Sequence, residues 1–121
     1  MLRSMMQVYV KGSVEAVELY KKAFGADVLC TYPDENGGYM HSELNAFGQI
    51  IAVSERLENT VCGNNMQFCF HFGEGSEDII KRAYDVLKEG AIECSALGAC
   101  GYSPCQFTLI DKFGVSWCLF V

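Results

Sequence analysis

Two stretches of the chain alternate apolar and polar residues one by one, and two others repeat them every three or four. Met5 to Val10, MMQVYV, sets Gln7 and Tyr9 opposite Met6, Val8 and Val10, the period of a strand. Lys11-Gly12 reads as a turn and Ser13 as the N-cap of a helix, with Glu15 in the first turn where the helix dipole favours an acid. Val14, Val17, Tyr20 and Phe24 then fall on one helical face. Lys21 and Lys22 occupy the last turn, and Gly25 suits the left-handed position after it. Strands are predicted at Ala26–Thr31, Gly38–Asn45 and Gln49–Ser54, divided by the turn sequences PDENGG and NAFG.

Residues 56–65 carry no apolar period and end in the turn-like Cys62-Gly63-Asn64-Asn65, so they read as a linker. The order then repeats. In Met66 to Phe72, Gln67, Cys69 and His71 alternate with large apolar residues whose face should be buried. Ser76 is the second N-cap, Ile80, Ala83 and Leu87 form the core stripe, and Gly90 closes the helix. Strands are predicted at Ala91–Ser95, Pro104–Ile110 and Val115–Val121, with Gly98-Ala99-Cys100-Gly101 a plain connection. Ser13 and Ser76, Gly25 and Gly90, and Phe47 and Phe113 stand 63 to 66 residues apart. The expectation is a single α+β domain over 1–121: a βαβββ module at 1–55, the linker, and a second βαβββ module at 66–121. A unit this short cannot cover its own sheet, so the two sheets should pack together or curl into one open barrel.

Composition narrows the function. Nine Lys and Arg against fifteen Asp and Glu give a net charge of −6, and no basic run exceeds two residues, which argues against nucleic acid and anionic membranes as partners. No 18-residue apolar run is present, and the strand-like N-terminus does not read as a signal peptide. Seven cysteines, an odd count with several inside strand-like runs, fit reduced thiols and a cytoplasmic location. No CxxC occurs, so structural zinc is not expected.

Candidate chemistry sits on the polar faces of the strands. His41 and Glu43 lie two apart, so both side chains point the same way. They could act as a base with an orienting carboxylate, or as two metal ligands. Cys69 and His71 share a face with Gln67, and a thiol beside an imidazole is the pattern of an activated nucleophile. Tyr9, Tyr39, Phe107, Trp117 and Phe120 could line an aromatic pocket. No glycine-rich turn follows the first strand to hold a nucleotide-like methyl donor.

Three motifs also carry a family resemblance. They are the run Val14-Glu15-Ala16-Val17-Glu18-Leu19-Tyr20-Lys21-Lys22-Ala23-Phe24-Gly25-Ala26, the strand Met40-His41-Ser42-Glu43-Leu44, and the ending Asp111-Lys112-Phe113-Gly114-Val115-Ser116-Trp117. With the two βαβββ units, they resemble the vicinal oxygen chelate superfamily, and most of all the PhnB-like branch of glyoxalase/bleomycin-resistance proteins and dioxygenases. The resemblance implies a cupped eight-stranded mixed sheet, a homodimer and a small-molecule cavity in each cup. It places the superfamily's metal-ligand positions at Met5 (with Gln7 one step along), at Ala52 or Ser54, at Gln67 and at Cys118. Gln7, Tyr9, His41, Glu43, Ser54, Gln67, Cys69, His71, Trp117 and Cys118 are thus the candidate cavity residues.

Three functions follow from these observations. The first is a small-molecule binding protein of the PhnB-like kind, without a catalytic metal. The second is a lyase, isomerase or dioxygenase using Zn, Mn, Fe or Ni, held by Gln67, His41 or Glu43. The third is a redox or electrophile sensor based on Cys69 or Cys118.

Overall fold

Alternation and helical periodicity give a βαβββ order at the start of the chain. A computed structural model describes residues 1–121. Strand β1 (Met6–Val10) leads into helix α1 (Ser13–Phe24), followed by β2 (Asp27–Pro33), β3 (Tyr39–Ala46) and β4 (Gln49–Glu55). The chain divides into two compact units, Met1–Val61 and Cys62–Val121, and the boundary falls inside the predicted linker. No helix is long and apolar enough to cross a membrane.

In the first unit the strand order is β1-β4-β3-β2, with β1 parallel to β4 and the other pairs antiparallel. One face of this sheet carries Val8, Leu44, Ile51 and Val53 and packs against α1. The last three of these are fully buried, as are Val17 and Tyr20 of the helix. The helix stripe differs from the expected one. Ala16 and Ala23 are buried and Val14 is 36% exposed, because small residues let the helix approach the sheet closely on that side.

The N-terminus of α1 also departs from expectation. Gly12, in the left-handed region at φ 90°, holds the N-cap position, and Ser13 is the first helical residue. The cap comes from β4 instead. The Glu55 carboxylate accepts the backbone N–H groups of Gly12 (3.0 Å) and Ser13 (2.9 Å) and the Ser13 hydroxyl (2.8 Å). Burial works against the ionised carboxyl, but these hydrogen bonds outweigh it and its pKa is lowered. At the other end Gly25 adopts the left-handed C-cap, as expected.

The second unit repeats the plan: β5 (Phe68–His71), α2 (Glu77–Leu87), β6 (Glu93–Cys94), β7 (Gly98–Cys100), β8 (Ser103–Ile110) and β9 (Ser116–Phe120). The order is β5-β9-β8-β6, and β7 also pairs with β8. The predicted connection at 98–101 is therefore largely a strand. Together, β6 and β7 are one edge strand interrupted at Ser95, which takes the place of β2 in the first unit. The interruption has a local cause: the Ser95 hydroxyl accepts the Thr108 N–H at 2.9 Å, so a side chain replaces a backbone partner. Counting that pair as one strand, each unit is βαβββ.

Asp111 explains the ending shared by the motif. It is fully buried between β8 and β9. One carboxylate oxygen accepts the N–H groups of Phe113 (2.9 Å) and Val115 (3.1 Å), and the other accepts the Trp117 indole N–H (2.9 Å). The indole lies parallel to the Phe70 ring, 6.1 Å between centroids, and edge-on to Phe68. Asp-x-Phe-Gly-x-x-Trp is therefore a tied turn that fixes the β8–β9 register.

Candidate functional site

Alternation along paired strands sends one side chain in two away from the helix. In the first unit those residues form two rows. Cys30, Glu43, Ala52 and Gln7 lie in register across β2, β3, β4 and β1. In the next row Tyr32 pairs with His41, and Ser54 pairs with Tyr9. Five sequence candidates, Gln7, Tyr9, His41, Glu43 and Ser54, thus share one face.

Glu43 organises that face. The residue is only 8% exposed, yet it lies on the side of the sheet away from α1. Arg3 donates to it with both terminal nitrogens, at 2.6 and 3.1 Å. His41 Nε2 lies 2.8 Å from its second oxygen. The hydrogen bond from Arg3, then that from His41, outweigh burial and lower its pKa to about 2. An ionised carboxylate can only accept, so His41 Nε2 is the donor of this hydrogen bond. The His41 side chain is 32% exposed, and its ring sits 6.3 Å from that of Tyr32. Beside it, Gln7 Nε2 donates to the Ser54 hydroxyl at 3.1 Å. Chemically this is a fixed imidazole with an orienting carboxylate, able to bind a donor or take up a proton.

Arg3 was not legible in the sequence, since it precedes the first periodic residue. Its one signal is being the only arginine ahead of the first strand.

In the second unit the corresponding face carries Cys69, Cys118 and Thr108 in one row and His71, Phe120 and Gln106 in the next. Gln67 donates to the Ser116 hydroxyl (3.3 Å) and the Trp117 carbonyl (3.4 Å). A cavity of about 400 Å³ opens here, lined by Gln67, Glu93, Ser95, Thr108, Ile110 and Ser116 among others. Cys69 and His71 each have another neighbour. The His71 ring stacks on Phe120 at 4.5 Å, and the Cys69 thiol points to the Gln67 carbonyl oxygen at 4.0 Å. Cys118 is buried with the Tyr102 hydroxyl 3.9 Å from its sulfur. Burial pushes its pKa up, and the contact with Cys118 pushes the Tyr102 hydroxyl up to about 12.

Trp117 and Phe107 do not line the face where they were expected. Both are fully buried on the opposite face, so neither lines this one. Strand alternation already separates Trp117 from its neighbour Cys118. Met66, expected on the buried face, is 81% exposed, because pairing starts only at Phe68.

The positions at which the resemblance expects metal ligands offer a thioether at Met5, a methyl or hydroxyl at Ala52 or Ser54, an amide at Gln67 and a buried thiol at Cys118. Such a set does not suit a hard or borderline divalent ion. No three His, Cys, Asp or Glu side chains gather to hold one. The buried carboxylate of the first unit's face, Glu43, is already engaged by Arg3 and His41. The residues present do not fit a divalent metal.

A repeated βαβββ unit with this strand order is the glyoxalase-like fold, the one expected from the PhnB-like resemblance. The chain is similar in structure to the PhnB protein from Bacillus cereus, with a TM-score of 0.80 and 22% identity over 98% of both chains. It is similar to PA1353 from Pseudomonas aeruginosa, with a TM-score of 0.80, 17% identity, and coverage of 99% of this chain and 97% of that one. The fosfomycin resistance protein FosX from Listeria monocytogenes, solved with Mn(II) and a sulfate ion, matches with a TM-score of 0.69, 12% identity, and coverage of 98% and 88%. At these identities the likeness is one of fold. No protein-family model matches the sequence, and the search of curated proteins found no relative.

Proposed function

We propose that the protein is a PhnB-like, glyoxalase/bleomycin-resistance-type binder of a small organic molecule, acting as a cytoplasmic homodimer without a catalytic metal. The ligand lies on the face of β1, β3 and β4, against His41. The observation that carries this reading is the Arg3–Glu43–His41 chain of hydrogen bonds. It lies outside the core between α1 and the sheet, so core packing does not account for it. It holds one imidazole at a fixed place beside a buried carboxylate, with a third of the side chain open to solvent. Ala52, in register between Gln7 and Glu43, keeps the floor of this face low, and Gln7, Ser54 and Tyr9 supply polar contacts around it. A second reading puts the ligand in the second unit, where the cavity of about 400 Å³ is within the range of small-molecule sites.

The test is a thermal-shift screen of small carboxylic acids and heteroaromatic fragments, run with EDTA on the parent chain, His41→Ala and Gln67→Ala. A fragment at a hundred times its Kd should stabilise the parent by about 2.7 kcal/mol. The first reading expects that gain to vanish in His41→Ala and persist in Gln67→Ala; the second expects the reverse. Equal gains in all three chains would remove both. Elemental analysis of the untagged protein should find near zero Zn, Mn, Fe and Ni per chain.

A further inference from the structure

Two of the seven cysteines meet across a strand pair. Cys69 on β5 and Cys118 on β9 are direct partners in a parallel ladder. Direct partners point to the same face, and neighbouring strands run about 4.7–4.9 Å apart. That spacing lies inside the roughly 4.4–6.8 Å between Cα atoms that a disulfide spans. The two thiols are unlike. Cys69 is exposed, at the rim of the strand pair, while Cys118 is buried beneath the Tyr102 hydroxyl. Burial raises the Cys118 pKa, and the neighbouring Cys69 adds to the shift. The other cysteines are not so placed. Cys30 pairs with Glu43 and Cys94 with Leu109, while Cys100, near enough to Cys118 to raise its pKa, pairs with Ser103 on another strand.

We infer that Cys69 and Cys118 form a dithiol site that closes reversibly to a disulfide by exchange with a low-molecular-weight disulfide such as oxidised glutathione. The exposed Cys69 thiolate attacks one sulfur of the incoming disulfide. A Cys69–glutathione bond forms, the disulfide's own S–S bond breaks, and one glutathione thiolate leaves and takes a proton. Cys118 then loses its proton to solvent and its thiolate attacks the Cys69 sulfur. The Cys69–Cys118 bond forms as the second glutathione thiolate departs. Two protein thiols are oxidised and one glutathione disulfide is reduced to two thiols. Because Cys69 faces Gln67, a lining residue of the second unit's cavity, closure takes place at that cavity's edge.

The experiment equilibrates the reduced full chain with mixtures of oxidised and reduced glutathione, quenches with acid, alkylates with N-ethylmaleimide and maps peptides by mass spectrometry. The expected product is a Cys69–Cys118 crosslink that dithiothreitol removes, with the other five cysteines alkylated. In Cys118→Ser, Cys69 should accumulate as the glutathione mixed disulfide. Cys69→Ser alters only an exposed position, and there Cys118 should stay a free thiol throughout. A parent chain that stops at the mixed disulfide on Cys69, or that links Cys118 to another cysteine, would overturn the inference. So would a Cys118→Ser chain in which Cys69 takes up no more glutathione than exposed Cys62 and Cys94.

Discussion

Arg3 and Glu43, 40 residues apart in the sequence, are joined by two parallel hydrogen bonds of 2.6 and 3.1 Å. The fork of the guanidinium fits the carboxylate as no lysine could. It ties the segment ahead of β1 onto β3, with half of the Arg3 side chain still in water. The remaining capacity of the carboxylate goes to His41, so a residue outside every predicted element sets the state of the candidate site.

The first prediction concerns acid stability. The Glu43 pKa is lowered from an ordinary 4.5 to about 2. Its contribution is therefore complete above about pH 4.5 and is lost as the pH falls towards 2. Melting temperature measured over that window should drop in the parent. The drop should be smaller in Glu43→Gln, which has no carboxylate to protonate. A Glu43→Gln chain that follows the parent curve throughout would show that other acids govern the window.

Asp111 yields a larger effect. Asp111→Ala removes the acceptor of two backbone N–H groups and an indole N–H, the Val115 and Trp117 bonds being buried. Each such donor costs about 1–3 kcal/mol, so urea unfolding should show a loss of about 3 kcal/mol or more. The indole, freed from the carboxylate, should also change its fluorescence. Retained stability would mean that water replaces the carboxylate at the β8–β9 turn.

Glu55 should behave as a helix cap supplied from another strand. Glu55→Ala removes the acceptor of three hydrogen bonds at the start of α1 and should cost about 1–2 kcal/mol. The denaturant midpoint should fall with an unchanged slope. Glu15→Ala, in the first turn of the same helix, removes no such bond and should cost much less.

Much of this was legible in the sequence. Single alternation in Met5 to Val10 and in Met66 to Phe72 separates the polar faces from the helix-covered ones, and Gln7, Tyr9, His41, Glu43 and Ser54 do share a face. The duplication is visible because positive-φ glycines follow both helices, although Gly25 is the cap of α1 while α2 is capped by Lys88 and Gly90 comes two residues later. What could not be read depends on contacts distant in sequence. Ser13 has the composition of an N-cap, but Glu55, 42 residues later, takes the role. Arg3 has no period to reveal it. The Ser95 interruption needs the register of β8 to be known before its hydroxyl acquires a partner. Adjacent Trp117 and Cys118 could not both line one face, and the aromatic belonged to the core.

Whether ligand binds against His41 can be read from ¹H–¹⁵N NMR spectra of the full chain, titrated with small carboxylic-acid and heteroaromatic fragments in EDTA. Bound fragments should shift the amides of Gln7, Tyr9, His41, Glu43 and Ser54 together, and His41→Ala should abolish those shifts. Fragments that bind only once Mn(II) or Zn(II) is added, or whose shifts avoid these five residues, would contradict it.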